Sequence, residues 1–148
     1  MHSTLVKFGY PDTRLAETEH WCVLLRPVQV TLGSIVIVFK DADVRSLSNV
    51  PSLSFAEFPR LCAGIEKTLF DELGAKKFNY LALMMVDPHV HFHVIPRYDF
   101  PVELANCIFN DNNWPGPPDI TANAGVDPET FALLKARLAS ALSHLGSI

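Results

Sequence analysis

The segment His89–Arg97, HVHFHVIPR, constrains this chain more than any other stretch. Histidines occupy alternate positions, His89, His91 and His93, with Val90, Phe92 and Val94 beside them. A strand sends successive side chains to opposite faces, so this spacing puts three imidazoles on one face and apolar groups on the other. Helical spacing would scatter the same histidines around a cylinder, so the pattern predicts a strand. Half of the six histidines in the chain lie in this pentapeptide, which demands a chemical reason.

Composition narrows the chemistry. With 148 residues the chain has the length of a single domain, 1–148, large enough for a real core. A net charge of −4 and the lack of a Lys/Arg-rich run argue against nucleic acid as a partner. The longest apolar stretches are strand-sized, far below the ~20 residues of a membrane span, and the N-terminus does not read as a signal peptide. Cys22, Cys62 and Cys107 are odd in number and lack CxxC spacing. They read as buried thiols of a cytoplasmic protein rather than as a disulfide framework or a zinc-thiolate site.

Around the histidine strand the pattern is α+β: a mostly antiparallel sheet of about five strands with two main helices. Pro11-Asp12-Thr13 reads as a turn into one or two helical turns through Glu17. EHWCVLLR, ended by Pro27, and SIVIVF after Gly33 form a strand pair, most simply an antiparallel hairpin. Ser54 and Glu57 have capping-box spacing, and Phe55, Phe58, Leu61, Cys62, Ile65 and Leu69 recur at helical spacing up to Gly74. Pro59 sits awkwardly there, so either the first turn is distorted or the regular helix begins near Pro59. FNYLALMMV, residues 78–86, reads as a central strand covered on both faces, with Asp87-Pro88 turning into the histidine strand. Residues 98–126 lack periodicity and read as a lid or binding loop. Asp127-Pro128 then begins a helix with Phe131, Leu134, Leu138, Leu142 and Leu145 on one face, which Gly146 can stop.

Three chemistries suit a row of imidazoles. They can simply lie on a half-exposed strand face. They can hold a metal, although no acidic partner stands at a recognisable spacing and His20 is the only reasonable distant ligand. Or one can attack phosphorus, because a neutral imidazole is a competent nucleophile and its phospho-imidazole hydrolyses easily. Mutual repulsion among the three disfavours protonating all of them, and any that is protonated can donate to phosphate oxygens or a leaving group.

HVHFHVIPR resembles the signature of the histidine triad family, His-φ-His-φ-His-φ-φ with φ apolar. It is most similar to the branch in which Pro-Arg follows, the dinucleoside polyphosphate hydrolases. A weaker likeness in element order extends over residues 19 to 98. The resemblance implies a nucleotide hydrolase or transferase acting at an α-phosphate, with no cofactor and no metal strictly required. It implies that His91 attacks to form a covalent nucleotidyl-histidine, while His89 and His93 hold the phosphate, orient His91 and assist the leaving group. It also implies a homodimer whose ligand is a nucleotide or dinucleotide. A nucleotide-binding regulatory protein with weak turnover is the alternative, because the chain departs from the family pattern. Ser34 stands where members commonly have a supporting histidine. Leu24 takes the place of a ribose-binding acid or asparagine, and LMMVDP lacks the usual amide or hydroxyl before the triad.

Four further residues are candidates for substrate binding. Asn79 is the nearest polar group for a phosphate, although it suits strand pairing equally. Arg97 can grip a phosphate with its forked donors or form a salt bridge. Ser34 offers a hydroxyl in place of the missing imidazole. Trp114, within WPGPP, can stack on a base or cover a partner subunit. Lys40 reads as a solvated charge and Asp87 as a turn residue.

Overall fold

The computed structural model describes residues 2–147. Its main sheet holds β1 (Arg14–Glu17), β2 (Trp21–Leu25), β3 (Ile35–Phe39), β4 (Lys77–Leu81) and β5 (His91–Arg97). The spatial order is β1-β2-β3-β5-β4, with every neighbouring pair antiparallel. A short helix α1 (Ser3–Lys7) precedes the sheet, and α2 (Ser52–Phe55) and α3 (Phe58–Leu73) connect β3 to β4. A hairpin of β6 (Val102–Leu104) and β7 (Cys107–Phe109) and the helix α4 (Pro128–Leu142) follow β5. This is the α+β architecture expected, with five strands in the main sheet and two long helices.

Strand alternation divides the sheet into two unlike faces. Trp21, Val23, Leu25, Ile35, Ile37, Phe39, Phe92 and Val94 share one face with Leu61, Ile65 and Leu69 of α3 and Leu134, Leu138 and Leu142 of α4. Trp21 is fully buried there among Phe39, Phe55, Phe58 and Phe92, and its indole Nε1 donates to the Ser54 carbonyl at 2.8 Å. Removing such side chains from water contributes about 1.5–3 kcal/mol each. Gly33 lets α3 lie close: its φ is +92°, and a Cβ there would stand 2.9 Å from both Leu69 and Leu73 side chains.

The other face is smaller and mixed. Cys22, Leu24, Val36 and Val38 cluster with Leu5 of α1 and with Phe8 just after it. Val38 and Val36 pair with His91 and His93, so the same alternation brings these two histidines onto this face.

Several expectations change. Arg14–Glu17 is a strand, not a helix, because pairing with β2 outweighs the weak local preference of so short a segment. The 78–86 run is not a central strand: β4 ends at Leu81, lies at the sheet edge and is half-exposed. Leu83, Met85 and Val86 are exposed, Met85 by 85%. The regular helix does begin beside Pro59, which occupies the first turn where its missing N–H costs nothing. Ser54 belongs to α2, and Glu57 bonds His20 instead of closing a capping box. Gly74 ends α3 in the left-handed conformation. Within 98–126 the β6–β7 hairpin turns on Ala105 and Asn106, both at positive φ, the geometry of a tight two-residue turn. The Asp127 carboxylate caps α4 by accepting from Thr130 N, but α4 stops at Leu142 and runs into a 3-10 turn (Ser143–Ser147) rather than ending at Gly146. Of the cysteines, Cys22 is buried and Cys62 and Cys107 are half-buried, all three free.

Candidate active site

β5 places His91 and His93 with ring centroids 5.0 Å apart and nearly perpendicular. His89 lies just before the strand and is not part of it. All three are buried, between 2% and 5% exposed. Helix α1 supplies the cover. Phe8 packs against the rings of His91 and His93 at 5.8 and 5.7 Å, and His2 stacks on His89 at 4.0 Å. The Thr4 hydroxyl bonds His89 Nδ1 at 2.8 Å.

The hydrogen bonds fix the proton on His91. Its Nδ1 lies 2.7 Å from the backbone carbonyl of His89. A carbonyl oxygen only accepts, so Nδ1 carries the hydrogen and Nε2 of the neutral ring carries a lone pair. The His89 backbone, not its ring, therefore sets the tautomer of His91. Burial first, then the charges of His91 and Arg26, push the His93 imidazole down to about 4, so it is neutral at pH 7. His89 is lowered as well, chiefly by burial and then by His2.

His91 and His93 open on a cavity of about 230 Å3, also lined by Lys7, Phe8, Arg26, the 83–87 segment and Ile120. Met84 in that segment adopts φ +44°, a strained conformation for a long side chain of the kind found beside functional sites. Lys7 and Asp87 form an ion pair at 2.7 Å across the mouth. Two buried side-chain polar atoms lack a partner among the described residues, Arg26 Nε and His93 Nδ1, and both belong to residues lining this cavity.

Sequence reasoning missed Arg26, Lys7, Phe8 and Ile120. Arg26 directly follows β2, before Pro27, and only the fold shows that it reaches the cavity of His91 and His93. Nothing local in the sequence distinguishes it from a surface arginine. Gln29, equally unremarked, positions it by donating to the Arg26 carbonyl at 2.7 Å and accepting from Gly33 N and Ser34 N.

The other sequence candidates lie elsewhere. Ser34 is buried in its own turn, donating to the Thr31 carbonyl and accepting from Thr31 N. Arg97 is buried and donates to Asp111 through Nε at 2.7 Å and Nη2 at 3.2 Å, and to Asn79 through Nη1 at 2.8 Å. This trio fastens the 98–126 segment to the sheet. Trp114 lines a separate cavity with Tyr98, Phe100 and Asp111. A further cavity of about 210 Å3, between Thr31 and residues 110–124, contains none of the histidines. Lys40 is held by Glu17 at 2.7 Å rather than free in solvent. His20 is engaged by Glu57, and among the described residues no group of three His, Cys, Asp or Glu side chains stands close enough to share a metal ion.

No protein-family model and no curated protein matches the sequence. Solved structures match over nearly the whole chain. A histidine triad protein of Marinobacter aquaeolei is 22% identical over 99% of this chain and 97% of its own, with a TM-score of 0.76. A histidine triad protein of Sinorhizobium meliloti is 22% identical over 96% of each chain, with a TM-score of 0.73. A hypothetical histidine triad nucleotide-binding protein of Sulfolobus tokodaii is 15% identical over 96% of this chain and 91% of its own, with a TM-score of 0.70. This chain has the histidine triad fold, with His91 and His93 on β5 and His89 just before it.

Proposed function

We propose that the protein is a hydrolase of nucleotide conjugates that acts at the α-phosphate through a covalent intermediate on His91. The observation that carries this reading is the bond from His91 Nδ1 to the His89 carbonyl, which leaves Nε2 with the lone pair. In the first step Nε2 attacks phosphorus, and the bond to the leaving oxygen or nitrogen breaks with its electron pair going to the leaving group. The leaving group takes up a proton. Water then adds to phosphorus, the P–N bond breaks, and nucleotide departs with His91 neutral again. His93 lies beside the reacting atoms, and His89 acts by orienting His91 through its carbonyl. The apolar rim of Leu83, Met85 and Val86 suits a base or ribose, and the Lys7–Arg26 side suits phosphate. Phosphoanhydrides such as dinucleoside polyphosphates and phosphoramidates both fall within this class.

The test is turnover of dinucleoside polyphosphates, adenosine phosphoramidate and nucleotide sugars, with and without chelator, beside His91→Ala. Turnover that resists chelator, with an acid-labile nucleotidyl-protein formed by the native chain alone, is the expected result. Undiminished turnover in His91→Ala would refute the assignment of the nucleophile. Burial of the triad under α1 and Phe8 favours a second reading, a nucleotide-binding regulatory protein, in which native protein binds nucleotide with little turnover. A transferase would pass the nucleotidyl group to an acceptor other than water.

The reading includes a cytoplasmic homodimer. The edge position of β4, whose backbone has a strand neighbour on one side only, supports a second copy of the chain as the covering surface. Light scattering should give twice the chain mass at micromolar concentration; a monomer mass there would contradict it. Among the described residues no helix is long and apolar enough to cross a membrane.

A further inference from the structure

The polar side chains around the triad cavity are unequal in what they have left to offer. Lys7 and Asp87 neutralise each other at 2.7 Å. His91 Nδ1 is committed to the His89 carbonyl. Phe8, Leu83, Met84, Met85, Val86 and Ile120 contribute no polar side-chain group beyond two thioethers. Arg26 remains, with only Nη1 engaged, to the Val28 carbonyl, and with Nε buried and unpartnered. His93 remains too, with Nδ1 buried and unpartnered. The Lys7–Asp87 pair sums to zero, so the cavity retains the uncompensated charge of one guanidinium. Buried polar atoms are almost always paired, and two orphans around one cavity mark a place where a ligand completes the bonding.

We infer that Arg26 is an anion anchor, which binds a phosphate group of the ligand beside His91, next to the His93 that the resemblance already gives to phosphate. The inference rests on the phosphoryl-transfer reading of the same cavity and names the side chains that recognise the charge. A guanidinium offers forked, charge-assisted donors that match phosphate oxygens, and His93 adds a donor when Nδ1 carries the ring proton. Burial lowers the affinity of both groups for protons, and an incoming anion offsets that effect for each. The anchor is preorganised, because Gln29 grips the Arg26 carbonyl and the amides of Gly33 and Ser34 just before β3. A ligand without phosphate would leave the guanidinium unmatched, so the site selects nucleotides over nucleosides.

The test titrates inorganic phosphate into native protein, Arg26→Gln, Arg26→Lys and His91→Ala by calorimetry, with sodium chloride at matched ionic strength as the control. Circular dichroism checks that each variant folds. Native protein should bind phosphate saturably, Arg26→Gln should bind about ten- to a hundredfold more weakly, and Arg26→Lys should lie between them. His91→Ala should keep saturable binding, which adding Arg26→Gln to it should weaken. Equal affinity in Arg26→Gln and native protein, or no binding beyond the chloride control, overturns the anchor. The two readings fail separately. A protein that binds phosphate through Arg26 without turning over any nucleotide keeps the anchor and loses the hydrolase. Turnover that persists at full kcat and unchanged KM in Arg26→Gln keeps the hydrolase and removes the anchor.

Discussion

Arg97 and Arg26 reach the same face of the sheet from β5 and from the end of β2, and their surroundings differ. Arg97 is 4% exposed, and all three of its guanidinium nitrogens donate, two to Asp111 and one to Asn79. Arg26 makes one bond, to a neighbouring carbonyl, and its buried Nε has no partner. At the Arg97 end the polar groups on the sheet are matched, so that end fastens a loop and has little left for a ligand. At the triad end two buried polar atoms, Arg26 Nε and His93 Nδ1, are left unmatched, at about 1–3 kcal/mol for each orphan. Folding alone does not explain such an arrangement, whereas binding does.

Mutating the two arginine sites for stability puts the largest effect on this contrast. Asp111→Ala removes the counter-ion of a buried guanidinium and should cost about 3–5 kcal/mol. Arg26→Met removes a cation with no counter-ion and should stay within about 1 kcal/mol of the native protein. Urea unfolding of both variants measures the difference. A loss at Arg26 as large as that at Asp111 would show that Arg26 holds the fold together, and the contrast would break.

The same contrast explains what could be read from the sequence. Alternation in HVHFHVIPR was sufficient to predict β5 and to put His91 and His93 on one face, because period-2 patterning is local. His89 escaped it: the strand begins at His91, and the contribution of His89 to His91 comes from a backbone carbonyl that no side-chain pattern encodes. The 78–86 run showed the limit of apolar composition. Leu83, Met85 and Val86 have the character of core residues and yet line the rim of a cavity at the sheet edge. Arg97 and Asn79 were recognised as polar groups near the triad, but the commitment of Arg97 to Asp111 depends on where the 98–126 segment returns. Arg26 was missed for the converse reason, since a residue without a partner leaves no trace in sequence spacing.

His93 provides the smaller and more selective test of the unmatched end. Burial holds its imidazole at about 4 in the folded chain, against 6.5 for an ordinary histidine. Between those values the unfolded chain binds a proton that the folded chain refuses, so stability rises with pH through this window. The contribution is fully present above about pH 6.5 and is lost as pH falls through 4, a difference of about 3 kcal/mol. Carboxylates also titrate there, so the measurement is the difference between the urea-derived stability curves of native protein and His93→Gln from pH 4 to 7. The native curve should be the steeper of the two. Saturating phosphate should flatten it, because an anion beside His93 stabilises the protonated ring and narrows the gap between folded and unfolded proton affinity. Parallel curves for the two proteins would mean that His93 titrates normally in the fold, and the triad end would then be no less matched than the Arg97 end.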